Sequence, residues 1–157
     1  MRTVLVTFIL FGLIHSFHGL AVMAADTKEE AIKKDRKRIE GTWKVVALEV
    51  GGNKSSDEDA RKLTVVNGAD GSWSLRSEGR EISQGTTVID PLKQPHTIDF
   101  TPTSGGGKGN LHLGIYEVNE NRRRLCFTPP GQARPTEFVS QPGTEQILVT
   151  FEREVTK

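Results

Sequence analysis

Past residue 25, the side chains able to do acid–base, nucleophilic or metal chemistry are one cysteine, two histidines and scattered carboxylates. Cys126 sits between Leu125 and Phe127 in a strand-like stretch, with no second cysteine to chelate a metal. A thiol in such a setting behaves as a small buried hydrophobe. His96 and His112, joined by Asp99 or Glu117, would be the minimum set for zinc, yet their spacing matches no local metal motif. They read as half-buried histidines, and no metal or cofactor is expected. A serine hydrolase needs a positioned nucleophile, and no G-x-S-x-G elbow occurs. Asp90 precedes Pro91 and shapes a turn. A pair of carboxylates drawn from Asp90, Asp99 and Glu117 could exchange protons, but nothing in the sequence fixes their separation. Ser104 to Asn110 is glycine-rich around Lys108. A phosphate loop would need Ser or Thr after the lysine, a glycine where Pro102 stands, and a helix to follow. Here Gly109 and a strand follow, so the segment is a hairpin loop. No catalytic residue is expected.

The candidates for binding are basic. Arg122, Arg123, Arg124 and Arg134 form the densest positive group after residue 40. In a strand, Arg123 shares its side with Leu125 and Phe127 and is expected at the strand mouth. There it either snorkels as a rim residue or opens an anion site for a carboxylate or sulfate. Arg123, Tyr116 and Arg134 are the candidate ligand-binding residues.

The elements that must position these residues begin with a leader. Residues 1–24 combine Arg2, an apolar run from Val4 to Ile14, and small residues Val22 and Ala24 before a cleavage point, the pattern of a secretory signal peptide. The run is short of the ~20 residues that cross a bilayer. An exported chain, periplasmic or extracellular, is the expectation, with no stable membrane insertion after cleavage. The whole chain carries 21 Lys+Arg against 20 Asp+Glu, and the leader holds only Arg2. The mature chain is therefore neutral, which argues against nucleic acid as a partner. With a single cysteine no intrachain disulfide can form, and stability must come from packing.

Residues 25–40 are rich in helix formers and form a lead-in with a thin apolar stripe of Ala31, Ile32 and Ile39 and a solvated basic face. Residues 41–157 change period. Strands are expected at Thr42–Val50, Leu63–Val66, Ser72–Arg76, Arg80–Ile89, His96–Thr101, Leu111–Val118, Arg122–Thr128 and Ile147–Glu152. A short edge segment is expected at Pro135–Val139 and a helical turn at Ser56–Lys62, with Ser56 as its cap. Asn67-Gly68-Ala69-Asp70-Gly71 is a hairpin turn. About eight short strands without long helices between them make an all-β antiparallel barrel or sandwich, and a barrel leaves no exposed edge.

Gly41 and Trp43 at the first strand, with Arg153 near the end of the last, resemble the closed-end motif of the lipocalin-like (calycin) barrels. That resemblance implies an eight-stranded barrel with a short N-terminal helix, anchored by Gly41, Trp43 and Arg153. A closer resemblance, over about residues 38–154, is to an uncharacterised family of secreted domains of planctomycete bacteria. It is carried by Gly41-Thr42-Trp43-Lys44-Val45-Val46, Ile89-Asp90-Pro91 with Ile98-Asp99-Phe100-Thr101, Gly114-Ile115-Tyr116-Glu117-Val118, Leu125-Cys126-Phe127 with Pro130-Gly131, and Arg134-Pro135-Thr136-Glu137-Phe138. That family has no established activity to carry over. The expected function is an exported, non-catalytic domain that binds a small or apolar ligand in the barrel mouth. The alternatives are a filled barrel that meets a protein or cell-envelope polymer and, behind it, an envelope hydrolase built on His96 or His112.

Overall fold

The computed structural model describes residues 18–155, with side chains from residue 27 onward. The leader expected over residues 1–24 lies outside these described side chains. Its first 17 residues also lie outside the described backbone.

Helix α1 (His18–Ile39) precedes β1 (Gly41–Val50), the two-residue β2 (Asn53–Lys54) and a single turn, α2 (Asp57–Arg61). Seven strands follow: β3 (Leu63–Asn67), β4 (Ser72–Ser77), β5 (Arg80–Asp90), β6 (His96–Ser104), β7 (His112–Val118), β8 (Arg122–Phe127) and β9 (Ile147–Arg153). Every pairing is antiparallel. The order β1-β3-β4-β5-β6-β7-β8-β9 returns to β1, so eight strands close a barrel and β2 hangs on β1 as an extra. This is the closed antiparallel barrel expected from the strand pattern, in the lipocalin-like form that the resemblance of Gly41, Trp43 and Arg153 implies. Ser56 caps α2: its Oγ accepts from the Asp59 amide at 3.1 Å and donates to the Asp59 carboxylate at 2.7 Å.

One end is plugged. Trp43 is fully buried, its Nε1 donates to the Ile39 carbonyl at 2.7 Å, and the Arg153 guanidinium lies 4.3 Å from its ring centre. Arg153 also donates to the carbonyls of Glu40, Arg38 and Glu120, so it ties the last strand to the end of α1. Gly41 sits at φ +107°, where a Cβ would lie 3.1 Å from the Arg153 guanidinium. Only glycine occupies such a backbone comfortably.

Two expectations differ from what is seen. The helix is more than a peripheral lead-in, because it covers the plugged end. Its apolar stripe is thin, but Asp35 is buried with Ile39, and Lys28 pairs with Asp90 on β5 at 2.9 Å. Polar anchors do the work that a wider apolar face would otherwise do. The second is Pro135–Val139, which is loop rather than an edge strand. Pro129, Pro130 and Pro135 lack the amide hydrogens a ladder needs. Instead this segment lies on the outer wall of β6, β7 and β8. Arg134 donates to the carbonyls of Ile98 and Gly114, and Phe138 packs 4.6 Å from the Arg124 guanidinium. Ile115 and Cys126, whose side chains point outward by strand alternation, are thereby buried.

Candidate functional site

Alternation sends one set of side chains from every strand into the barrel, and there they do not fill it. A cavity of about 270 Å³ runs from Val50, Leu63 and Ile147 at the open rim to Asn67 and Arg123 near the plug. Fourteen of its seventeen lining residues are apolar, and the others are Asn67, Thr87 and Arg123. The volume falls just under the ~300–1,000 Å³ usual for ligand pockets. The space therefore suits one small or slender molecule. A second depression outside the rim shares Val50, Phe127 and Ile147 with the cavity, which places these side chains between interior and solvent.

Arg123 stands at the deep end with 3% of its surface exposed. The sequence parity with Leu125 and Phe127 is right, but the residue lies on the floor of the barrel and not at its mouth. Strand β8 runs away from the plug, so Arg123 enters beside Phe151 and Trp43 while Phe127 reaches the rim. Its Nη1 donates to Asn67 Oδ1 at 3.3 Å and its guanidinium lies 5.1 Å from the Phe151 ring centre. Arg123 Nε and Asn67 Nδ2 are both buried and have no hydrogen-bond partner. Burial pulls the guanidinium pKa down to about 10, so Arg123 remains a cation at neutral pH.

Beneath this floor, towards α1, lies a second polar group in which every member has a partner. Tyr116 donates its hydroxyl to Asp35 Oδ2 at 2.8 Å, His96 Nδ1 is 3.4 Å from the same oxygen, and Arg38 pairs with Oδ1 at 3.3 Å. Arg36 reaches the hydroxyl and carbonyl of Thr87, whose own hydroxyl donates to the Gly71 carbonyl at 3.0 Å. Tyr116 is thus a brace between barrel and helix and does not line the cavity.

Burial, followed by its bond to Asp35, pushes the Tyr116 phenol far above its ordinary range. The neutral phenol is the form the fold stabilises. That contribution is complete below the unfolded value of about 10 and is lost as pH rises beyond it. Because the chain has one tyrosine, phenolate absorbance reads this group alone. The folded protein is expected to show no phenolate through pH ~10–11, and denatured protein to titrate near 10. Ordinary titration of the folded protein near 10 would show that the Asp35 brace is not formed.

The remaining candidates lie apart. Arg134 is on the outer wall, ion-paired with Asp99, and does not line the cavity. Asp90 shapes its turn through the Leu92 amide at 3.1 Å, and Glu117 pairs with Arg124 outside the barrel. Cys126 Sγ contacts the Val139 carbonyl at 3.4 Å on the outer wall, and burial pushes the thiol up. His96 lies opposite Tyr116 and His112 opposite Phe100 in the β6–β7 ladder. Four steps separate them, about 13 Å at ~3.3 Å per residue. His112 stacks on Phe100 with ring centres 4.7 Å apart. Among the described residues, no three His, Cys, Asp or Glu side chains converge on a metal position. His96 has an acid beside it in Asp35, but the hydroxyl that completes that group is the Tyr116 phenol, donated to Asp35 and shut inside the plug.

Sequence reasoning missed Asn67 and Asp35. Asn67 reads as a turn residue and Asp35 as a diluting charge on a basic helix. Their inward positions follow only from the register of β3 with β1 and the docking of α1. The period-two pattern Leu63, Val65, Asn67 was the one local signal for the first. No protein-family model, curated protein or solved structure matches this chain.

Proposed function

We propose that this chain is an exported, non-catalytic binding domain that takes one small, largely apolar molecule into the barrel interior. The observation that carries this is the apolar cavity of about 270 Å³ running down to Arg123. Natural cores are packed with few voids larger than a water molecule, so a hollow of this size supports a ligand site over the filled-barrel alternative. The dispersed chemistry of His96, His112 and Cys126 favours binding over hydrolysis. Export rests on the leader pattern of residues 1–24, and kinship with the secreted family on the motifs from Gly41 to Phe138.

Decanol, a neutral slender molecule, tests the reading without assuming anything about charge. Titrated into the folded protein, it is expected to shift the amide NMR signals of Val65, Leu75 and Leu125 in a saturable way. Absence of saturable shifts at these wall positions would remove the interior as a binding site. Mass spectrometry of protein isolated under non-denaturing conditions is expected to carry an added small mass.

A further inference from the structure

The barrel interior gives a guest hydrocarbon to lie against and nothing polar to hold. Arg123 Nε and Asn67 Nδ2 are buried behind the floor, and the Thr87 hydroxyl is engaged by the Gly71 carbonyl and by Arg36. A polar group buried without a partner is costly, so a guest with a polar end must keep that end at the rim. Outside the rim lies the depression that shares Val50, Phe127 and Ile147 with the cavity, and at about 660 Å³ it is the roomier space. Phe127, Pro129 and Pro130 give it an apolar wall, and its polar side chains are Asn53, His112, Thr144 and Glu145. Most of their donors are already in use. Thr144 Oγ1 donates to the Gln141 carbonyl at 2.7 Å and Asn53 Nδ2 to the Gly51 carbonyl at 3.4 Å. His112 Nδ1 lies 3.3 Å from the Thr128 carbonyl, which assigns the ring proton to that nitrogen and leaves Nε2 as an acceptor. Among the described residues, Glu145 has no hydrogen bond or ion pair. Lys108, on the loop that approaches His112 through Gly107, lies outside the lining and forms no ion pair. A carboxylate without a partner and a ring nitrogen with a lone pair, beside an apolar wall, call for a cation that carries N–H donors.

We propose that this depression is the head-group site for a cationic amphiphile, an alkylammonium held against Glu145, with His112 Nε2 as a further acceptor and the hydrocarbon chain passing Phe127 into the barrel. This rests on the reading of the barrel as an apolar-ligand binder and adds the class of guest and its orientation. An ammonium brings three donors and no acceptor, which complements a lining whose free groups are mainly acceptors. Hydrogen bonds between ionised partners are the stronger ones. A carboxylate or phosphate head would meet the Glu145 charge and find few donors to satisfy it. A neutral alcohol brings one donor and no charge.

The test is calorimetry on the full chain at neutral pH with decylammonium, decanol and decanoate. Decylammonium is expected to bind about five- to ten-fold tighter than decanol, between the gain of an exposed ion pair and that of a buried hydrogen bond to a charge. Decanoate is expected to bind more weakly than decanol. Glu145→Gln keeps the size of the side chain and removes its charge. In that variant the advantage of the amine is expected to fall to within about two-fold while decanol binds as before. Equal affinities of decylammonium and decanol in the unaltered protein, a preference for decanoate, or an advantage that survives Glu145→Gln would overturn the head-group site and leave the apolar cavity intact. Failure of all three to bind would overturn both. NMR gives a second readout. Decylammonium is expected to shift the amide signals of Thr144 and Glu145 at the rim together with those of Leu75 and Leu125 inside. Shifts confined to the interior would overturn the rim site, and shifts confined to the rim would overturn the seating of the chain in the barrel.

Discussion

Replacing Trp43 with alanine is expected to lower the stability of this barrel by about 3–5 kcal/mol, the range for truncating a buried aromatic. Three losses combine at this position. The fully buried indole leaves a cavity at the plug. The Ile39 carbonyl loses its donor at 2.7 Å, at the helix end where carbonyls lack partners within the helix. The Arg153 guanidinium loses the ring face 4.3 Å away, while its bonds to Glu40 and Glu120 persist. Urea unfolding with unchanged slope measures the effect. A loss below about 1 kcal/mol would show that the plug does not depend on this ring. Trp43→Phe separates the contributions, since it keeps an aromatic face but removes the bond to Ile39.

Arg123→Met is expected to do the opposite and raise the stability of the empty protein by roughly 1–3 kcal/mol. Replacing buried ionic groups by apolar residues of similar volume is often neutral or stabilising. Arg123 is a strong case, since burial, with the charge of Arg36 adding to it, pulls its pKa down to about 10, and among the described residues no carboxylate pairs with it to offset the cost. The gain is trimmed by about 1 kcal/mol, because Asn67 Oδ1 loses its donor. Denaturant melts of ligand-free protein decide the sign. A variant destabilised by several kcal/mol would identify Arg123 as a strut of the plug. A stabilised variant would mark a residue kept at a cost to folding, as is common where function and stability compete.

How far the sequence could be read depended on whether a feature was local. Gly41, Trp43 and Arg153 were legible because a strand start and a strand end each carry their own signal, and the motif they resemble joins them. The alternation of His96, Ile98 and Phe100, and of Ile147, Val149 and Phe151, placed the start of β6 and all but the last residue of β9, while β6 runs on to Ser104, past the expected end at Thr101. Arg123 was legible in its facing but not in its depth. Parity fixes the side of a strand, while height along the barrel depends on the stagger between neighbours, here Val118 with Arg123 and Arg123 with Phe151. The hollow itself left no mark, because it is the difference between the barrel's radius and the summed volume of side chains from eight strands. Asp35 was hidden for the same reason. Nothing within Thr27–Arg38 records that a tyrosine 81 positions later will meet it.

The seam between β1 and β9 also bears on how the chain comes to be made. Its pairing runs from Trp43 opposite Arg153 to Val50 opposite Ile147, so the ring joins its first strand to its last. Contacts so distant in sequence form late, after the entropy of bringing the two ends together has been met. During synthesis, Trp43 emerges early and waits, its apolar face uncovered, until β9 appears. A ribosome stalled before Ile147 would therefore hold an open, edge-exposed sheet. The vulnerable interval of this protein's life is set by the arrival of its last strand.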